Sequence, residues 1–342
     1  VPGERAARDL TALGTALVLA FVLMARLGSW IRELAAFQTL VALAFACFAL
    51  ALWRARGAAV PRAGLLVFVV AAAARLALLP VTPSLSDDVY RYVWEGKVAA
   101  AGGDPWHQGP LDPRLAALRD RDIHPRVNHP ELTTLYPPLA IAGFALVASL
   151  SPTVGAMKLW VVLHDLALVA LLLAWTRRRG GEPLLVIAYA WNPLVVIEHA
   201  GSGHHDPTAV VWLVAALVWA ERRPVLSALA LAAGVLVKLA PLVALPFLIA
   251  RWTPRARGVA VTLITLGLGW FWSMTRGPQS GLDAYRRAWA NNESLFVGLA
   301  WLTGDPIRAR AAALAALLAV IAVLAARRAE PARATRQSLR AA

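Results

Sequence analysis

The sequence predicts an all-α polytopic membrane protein with about ten hydrophobic helices, some short or re-entrant, and a long first extracytoplasmic loop bearing interfacial helices. Unbroken runs of Leu, Ala and Val are the first reason, as at 11–24, 34–52 and 311–326. A run of about 18 or more apolar residues can cross a bilayer core as a helix, and helix is required because hydrocarbon offers the backbone no hydrogen-bond partners. Composition is the second: 59% of the 342 residues are hydrophobic and 16% are charged, where a soluble domain carries about 25% charged residues. The placement of charge is the third. Arg54, Arg56, Arg62, Arg177, Arg178, Arg179, Arg222, Arg223, Arg251, Arg255, Arg257, Arg327 and Arg328 flank apolar segments. The net charge of +14 therefore reads as the positive-inside distribution, not as a basic stripe interleaved with aromatics, and no nucleic-acid partner is expected.

Charge also orients the chain as a single integral membrane domain over 1–342. Arg5 and Arg8 place the N-terminus inside, and the first run ends in Arg26-Leu27-Gly28-Ser29 without a small-x-small cleavage site, so the first helix is uncleaved. Spans follow at about 9–26, 34–53 and 64–80, with the basic loop 54–62 inside. Residues 81–135 then form the extracytoplasmic loop, which holds eight of the twenty acidic residues and three of the seven histidines. A loop of this length is usually functional. Helical spacing of Val89, Tyr92, Trp94 and Val98 predicts a short interfacial helix near 87–101. The run 138–150 is too short for a full crossing and reads as half-spanning or re-entrant. Spans at about 157–175, 184–199, 208–220, 258–274 and 310–326 complete the map, with 225–250 as two short helices dipping from inside and meeting at Lys238. Cys47, alone in an apolar run, is a small core residue.

Three polar clusters share the outer face on this map. Ser86-Asp87-Asp88-Val89-Tyr90-Arg91-Tyr92-Val93-Trp94-Glu95-Gly96 opens with adjacent carboxylates. They can serve as a general base, hold a divalent cation, or cap a helix. Asn192-Pro193, Glu198-His199 and Gly201-Ser202-Gly203-His204-His205-Asp206-Pro207 form the second. Ionisable groups at membrane depth are functional candidates; zinc ligation, an ordinary turn with Asp206 as N-cap, and phosphate or sugar binding are the readings of this run. Lys238 is the third, interrupting an apolar stretch before Pro241, and it must meet an anion or snorkel. His164-Asp165 reads as a buried, mutually satisfied pair. Walker A, HExxH, GxSxG and Rossmann glycine patterns are absent from the sequence.

These clusters, in this order, resemble the GT-C superfamily of polytopic glycosyltransferases, and most closely the polyprenol-phosphomannose-dependent α-mannopyranosyltransferases. The resemblance lies in Asp88-Val89-Tyr90-Arg91-Tyr92 followed by Gly96, in Gly102-Gly103-Asp104-Pro105-Trp106, and in Tyr136-Pro137-Pro138-Leu139 opening a helix. Asn192-Pro193-Leu194 before Glu198, the His204-x-Asp206 turn, and Lys238 ahead of Pro241 extend it over about residues 80–250. The chain departs from the superfamily in placing three apolar segments before the acidic pair, and in being short.

The resemblance implies inverting transfer of a sugar, mannose by analogy, from a polyprenyl-phosphate donor to an envelope glycan or lipid acceptor, on the outer face of a bacterial plasma membrane. Asp88 would be the general base with Asp87 in support. Lys238, Arg91 and His204 would bind the donor phosphate, where negative charge develops. Tyr92, Trp94, Tyr136, Glu198, His205 and Asp206 would bind sugar or acceptor, with Tyr136 and Trp94 stacking on the ring. No cofactor is implied, although Asp87 and Asp88 leave a divalent metal conceivable. The other reading is a polytopic transporter or lipid flippase, since broken helices and mid-membrane charges also mark transporters; a non-catalytic assembly partner is a third.

Overall fold

The structure is a computed structural model, and it describes residues 2–277, 279–288 and 293–338. Among the described residues every regular element is helical and no strand occurs. Helix α1 (Pro2–Arg26) packs along α2 (Leu34–Ala55) and against α3 (Ala63–Leu78). Helix α4 (Asp88–Ala100) lies on α5 (Pro138–Leu150), and α6 (Val154–Arg178) starts behind Thr153, whose hydroxyl accepts from Ala156 N–H. The short helices α7 (Ile187–Ala190) and α8 (Pro193–Val196) lead into a π-helical turn at Ile197–Ser202. Then come α9 (Pro207–Trp219), α10 (Pro224–Val237), α11 (Leu245–Ile249), α12 (Pro254–Met274), α13 (Gly281–Ala288), α14 (Glu293–Thr303) and α15 (Pro306–Ser338). Proline opens α5, α8, α9, α10, α12 and α15, where its missing N–H costs no hydrogen bond and its fixed φ suits the first turn.

Four of these helices are long and apolar enough to cross a membrane: Gly3–Arg26, Leu34–Ala55, Val154–Arg178 and Pro306–Leu324. The pair Pro183–Ala190 and Pro193–Ser202, bent by 55°, brings the number to five if it counts as one span. By length and composition there are thus four or five candidate crossings among the described residues, fewer than the sequence led us to expect. Helix α3 has 16 residues, or about 24 Å at 1.5 Å per residue, short of a core of about 30 Å. The expected span at 208–220 is the 13-residue α9. The one at 184–199 is broken, because Asn192 caps α8 by accepting from Leu194 N–H at 3.0 Å and Pro193 follows. Helix α12 reaches 21 residues but is not apolar enough to join the set. The two short helices around 225–250 form, with Lys238 extended between α10 and the next turn at Ala240–Ala244.

Three apolar cores lie side by side, and α6 feeds all of them. Val162, Val169 and Leu173 join the core of α1–α3. Met157 joins the core of α4, α5 and the polar loop. Leu171 packs on the core of α9–α12. The helix expected at the membrane interface is instead enclosed almost all round: Val89 through Gly96 and Val98 are all buried. It is a wall of the second core, not a surface helix. Large apolar side chains face outward on the long helices, among them Leu43, Leu50, Leu163, Leu266, Leu314 and Leu317, as hydrocarbon contact requires.

A buried ion network ties the first core together, and it corrects the expectation for His164 and Asp165. Asp165 Oδ2 accepts from Arg75 Nε at 2.7 Å, Oδ1 accepts from Tyr189 Oη at 2.6 Å, and His199 Nδ1 lies 3.2 Å from Oδ2. Arg75 and Asp165 are fully buried. His164 takes no part; its ring lies 4.5 Å from that of Trp160 and its Nδ1 sits at the Trp160 carbonyl. Successive residues on a helix point about 100° apart, so His164 and Asp165 face different neighbours.

Candidate active site

The entry to α4 sets the site. Asp87 occupies the N-cap position, yet its carboxylate makes no capping bond. Asn128 Nδ2 instead donates to Asp87 Oδ1 at 2.9 Å and to Asp88 Oδ1 at 2.7 Å, so one amide from the polar loop ties the two carboxylates. Asp88 N–H donates to Ser86 Oγ at 3.3 Å. The capping role open to this strip therefore falls to Ser86 alone.

The segment after the π turn brings His204 to the same place. Gly203 takes φ +82, a left-handed conformation that suits glycine, and reverses the chain. His204 Nδ1 lies 2.6 Å from Glu198 Oε2, its Nε2 lies 3.0 Å from Ser86 Oγ, and Nε2 is 3.7 Å from Asp88 Oδ2. Burial pushes the imidazole down in pKa, but the Glu198 hydrogen bond and charge, with Asp88 and Asp206, outweigh it and leave the group above its ordinary value. The cationic form is favoured. Asp206 makes no capping bond for α9; its Oδ1 accepts from Lys238 Nζ at 2.5 Å. Burial raises the Asp206 carboxyl, but the charge and hydrogen bond of Lys238, together with His205 and His199, outweigh it and leave the carboxyl below its ordinary value. Lys238 meets this anion where α10 breaks.

Asp87, Asp88, Arg91, Tyr92, Tyr136, His204, Asp206 and Lys238 line one cavity of about 550 Å³, within the range of small-ligand sites. Eight of the residues anticipated from sequence thus meet across some 150 positions of chain. Three others do not line it. Glu198 stands behind His204. His205 is buried among Tyr92, Tyr136 and Phe144, with ring centroids 4.9, 5.2 and 5.2 Å away. Burial, and then Lys238, push its pKa to about 3, so it stays neutral. Trp94 is enclosed beside His124, 4.9 Å between ring centroids, and no face of it is open to a sugar.

Arg91 lines the cavity but is heavily committed. Its Nε donates to Glu95 Oε1 at 2.7 Å. Nη1 donates to the carbonyls of Asn128 and His129, and Nη2 to those of Leu132 and Thr133, at 2.7–3.0 Å. The guanidinium is thus the clamp that shapes the strip carrying Asn128, including His129 at φ +43. Tyr92 and Tyr136 are raised well above the ordinary phenol value, by burial first and by charges that include Asp88 second, so both remain neutral donors.

Asn128, Tyr285 and Gly281 were not singled out from sequence, and nothing in their types or spacing marks them. Among the described residues no three His, Cys, Asp or Glu side chains form a metal-holding group.

The family model for the N-terminal domain of alpha-(1->6)-mannopyranosyltransferases matches residues 10–254. The chain belongs to this family. No curated protein and no solved structure matches it. As a member of a mannosyltransferase family the protein is a glycosyltransferase, and its apolar helices make it a membrane-embedded one. The matched stretch contains every cavity residue from Asp87 to Lys238, whereas Gly281 and Tyr285 lie beyond it.

Proposed function

We propose that this mannosyltransferase moves mannose, with inversion, from a polyprenyl-phosphate donor to a hydroxyl of an envelope glycan or lipid, on the extracytoplasmic face of a bacterial plasma membrane. The reading rests on one observation above all: Asp88, a carboxylate oriented by the Asn128 amide, opens into the same cavity as Lys238 and His204. Asp88 takes the proton from the acceptor hydroxyl as that oxygen attacks the anomeric carbon. The bond from that carbon to the phosphate oxygen breaks, and polyprenyl phosphate leaves as an anion. Lys238 and protonated His204 meet that charge where it develops, and such preorganised donors act most strongly in a site shielded from water. Attack opposite a β-linked phosphate gives an α-mannoside, in keeping with the family name. Asp206 holds Lys238 while the donor is away and shares it when the phosphate arrives. Arg91 acts through the loop it clamps, and Tyr92 and Tyr136 form the cavity wall against the sugar. The lipid tail of the donor runs between helices.

Purified protein incubated with labelled polyprenyl-phosphate mannose and a panel of glycan and lipid acceptors tests the reading, with transfer of label as the expected result. Lys238→Met should raise the donor KM strongly while the protein stays folded in detergent. Unchanged donor KM would remove Lys238 from the phosphate site, and absence of donor consumption with every acceptor would favour the transporter reading.

A further inference from the structure

Part of the cavity wall comes from chain beyond the family match. After α12 the backbone folds back onto the polar loop, where Thr133 N–H donates to the Gln279 carbonyl at 3.0 Å and the Thr133 hydroxyl donates to the same oxygen at 3.3 Å. Gly281 presses so close that a Cβ there would lie 2.1 Å from the Thr133 carbonyl oxygen. On α12, Trp270 meets Trp106 edge-on at 5.1 Å, and Trp106 Nε1 donates to the Tyr136 carbonyl at 3.1 Å. These contacts seat the start of α13 so that Gly281 and Tyr285 face the cavity that holds Asp88.

The cavity lining divides by chemistry. Its cations proposed for the donor phosphate, Lys238 and His204, lie inside residues 10–254. Leu132, Thr133, Leu135, Gly281 and Tyr285 form an uncharged stretch of the lining, and Tyr285 is 39% exposed. A tyrosine presents a rigid aromatic face with a polar tip at low entropic cost, which suits the C–H face and hydroxyl rim of a pyranose. We infer that residues 279–285 form the acceptor-sugar subsite, with Tyr285 stacking on the terminal ring, so that the acceptor is a saccharide chain end and not a bare lipid alcohol. The inference rests on the transfer reading above. It places acceptor choice in a segment that the family's N-terminal domain does not include.

The test uses the full chain with labelled polyprenyl-phosphate mannose and two acceptors, an α-linked mannose oligosaccharide and a long-chain lipid alcohol, together with calorimetric binding of the oligosaccharide. Tyr285→Ala should raise the oligosaccharide KM roughly tenfold, the effect of losing one aromatic anchor, with the donor KM unmoved. Tyr285→Trp should recover most of the loss, and Gly281→Ala should reproduce it by prising the segment from Thr133. Use of the lipid alcohol but not the oligosaccharide by the unaltered protein would overturn the inference. So would an unchanged oligosaccharide KM, or a rise confined to the donor, in Tyr285→Ala. The two failures are separable. Oligosaccharide binding that Tyr285→Ala abolishes, without any donor consumption, sinks the transfer reading and keeps the subsite. Transfer that Tyr285→Ala leaves intact sinks the subsite alone, and neither binding nor transfer sinks both.

Discussion

His204 sets Asp87 and Asp88 apart in role although they are neighbours in sequence and share the Asn128 amide. Both accept from that amide, but only Asp88 also lies beside His204. General-base catalysis is worth about 10²–10⁴ in rate. Asp88→Asn keeps size and polarity and removes the basic oxygen, so turnover should fall by roughly that factor while the donor KM stays near normal. Asp87→Asn should cost less, and EDTA should leave the rate intact; a dead Asp87→Asn that EDTA mimics would put a cation between the carboxylates. His204 supplies a pH signature. Because its pKa is raised by Glu198 and the nearby carboxylates against the pull of burial, the imidazolium survives above the ordinary value of about 6.5. Its charge, and the stability of the pair, are present in acid and are lost as pH rises through the raised pKa. Glu198→Gln removes the first support, so the alkaline limb of the pH–rate profile should move toward acid. A limb that stays in place would show that His204 titration does not govern the reaction.

At the scale of elements, the broken segment between α7 and α9 carries two jobs with adjacent residues. Glu198 turns to His204, behind the cavity, while His199 turns to Asp165, the partner of Arg75 in the first core. Successive residues of a helical turn point to different sides, and this one is a π turn, a form common at functional sites. Arg75 also donates to the Ala190 carbonyl at 2.7 Å, so the network holds the end of α7 against α3 and α6. Asp165→Asn leaves a fully buried guanidinium without its counter-charge and should destabilise the protein by about 3–5 kcal/mol, read as a lowered melting temperature in detergent. Replacing both partners by apolar residues, Arg75→Met with Asp165→Leu, should recover much of that loss. A single variant as stable as the parent would mean that Tyr189 and His199 suffice to hold the segment.

For the whole molecule, sidedness follows from how the four or five candidate crossings and the shorter helices are threaded. By the positive-inside rule, the arginine distribution predicts the polar loop outside and the run Arg177-Arg178-Arg179 inside. In a Cys47-free variant, a cysteine replacing exposed Arg114 should react with an impermeant thiol reagent applied to intact cells, and one replacing exposed Arg178 should not. Labelling from outside at Arg178 would invert the map and move the cavity to the cytoplasmic face.

The membrane class, the helical architecture and most of the cavity residues were legible in the sequence for definite reasons. Run length and charge placement are solvent-partition properties, which the bilayer imposes residue by residue. The acidic pair, the His204–Asp206 turn and Lys238 stand out because charge amid apolar sequence requires a partner. Partnership itself is a long-range matter, and only the tertiary structure decided it. It gave Asp165 to Arg75 and not to His164, committed Arg91 to four loop carbonyls, buried Trp94 and His205, and turned an amphipathic strip into an enclosed helix once α5 covered its other face. Asn128 and Tyr285 are ordinary residue types whose importance lies wholly in position. No local pattern brings residues 128 and 285 beside residue 88; the packing of α4 on α5 and the return of the chain after α12 do.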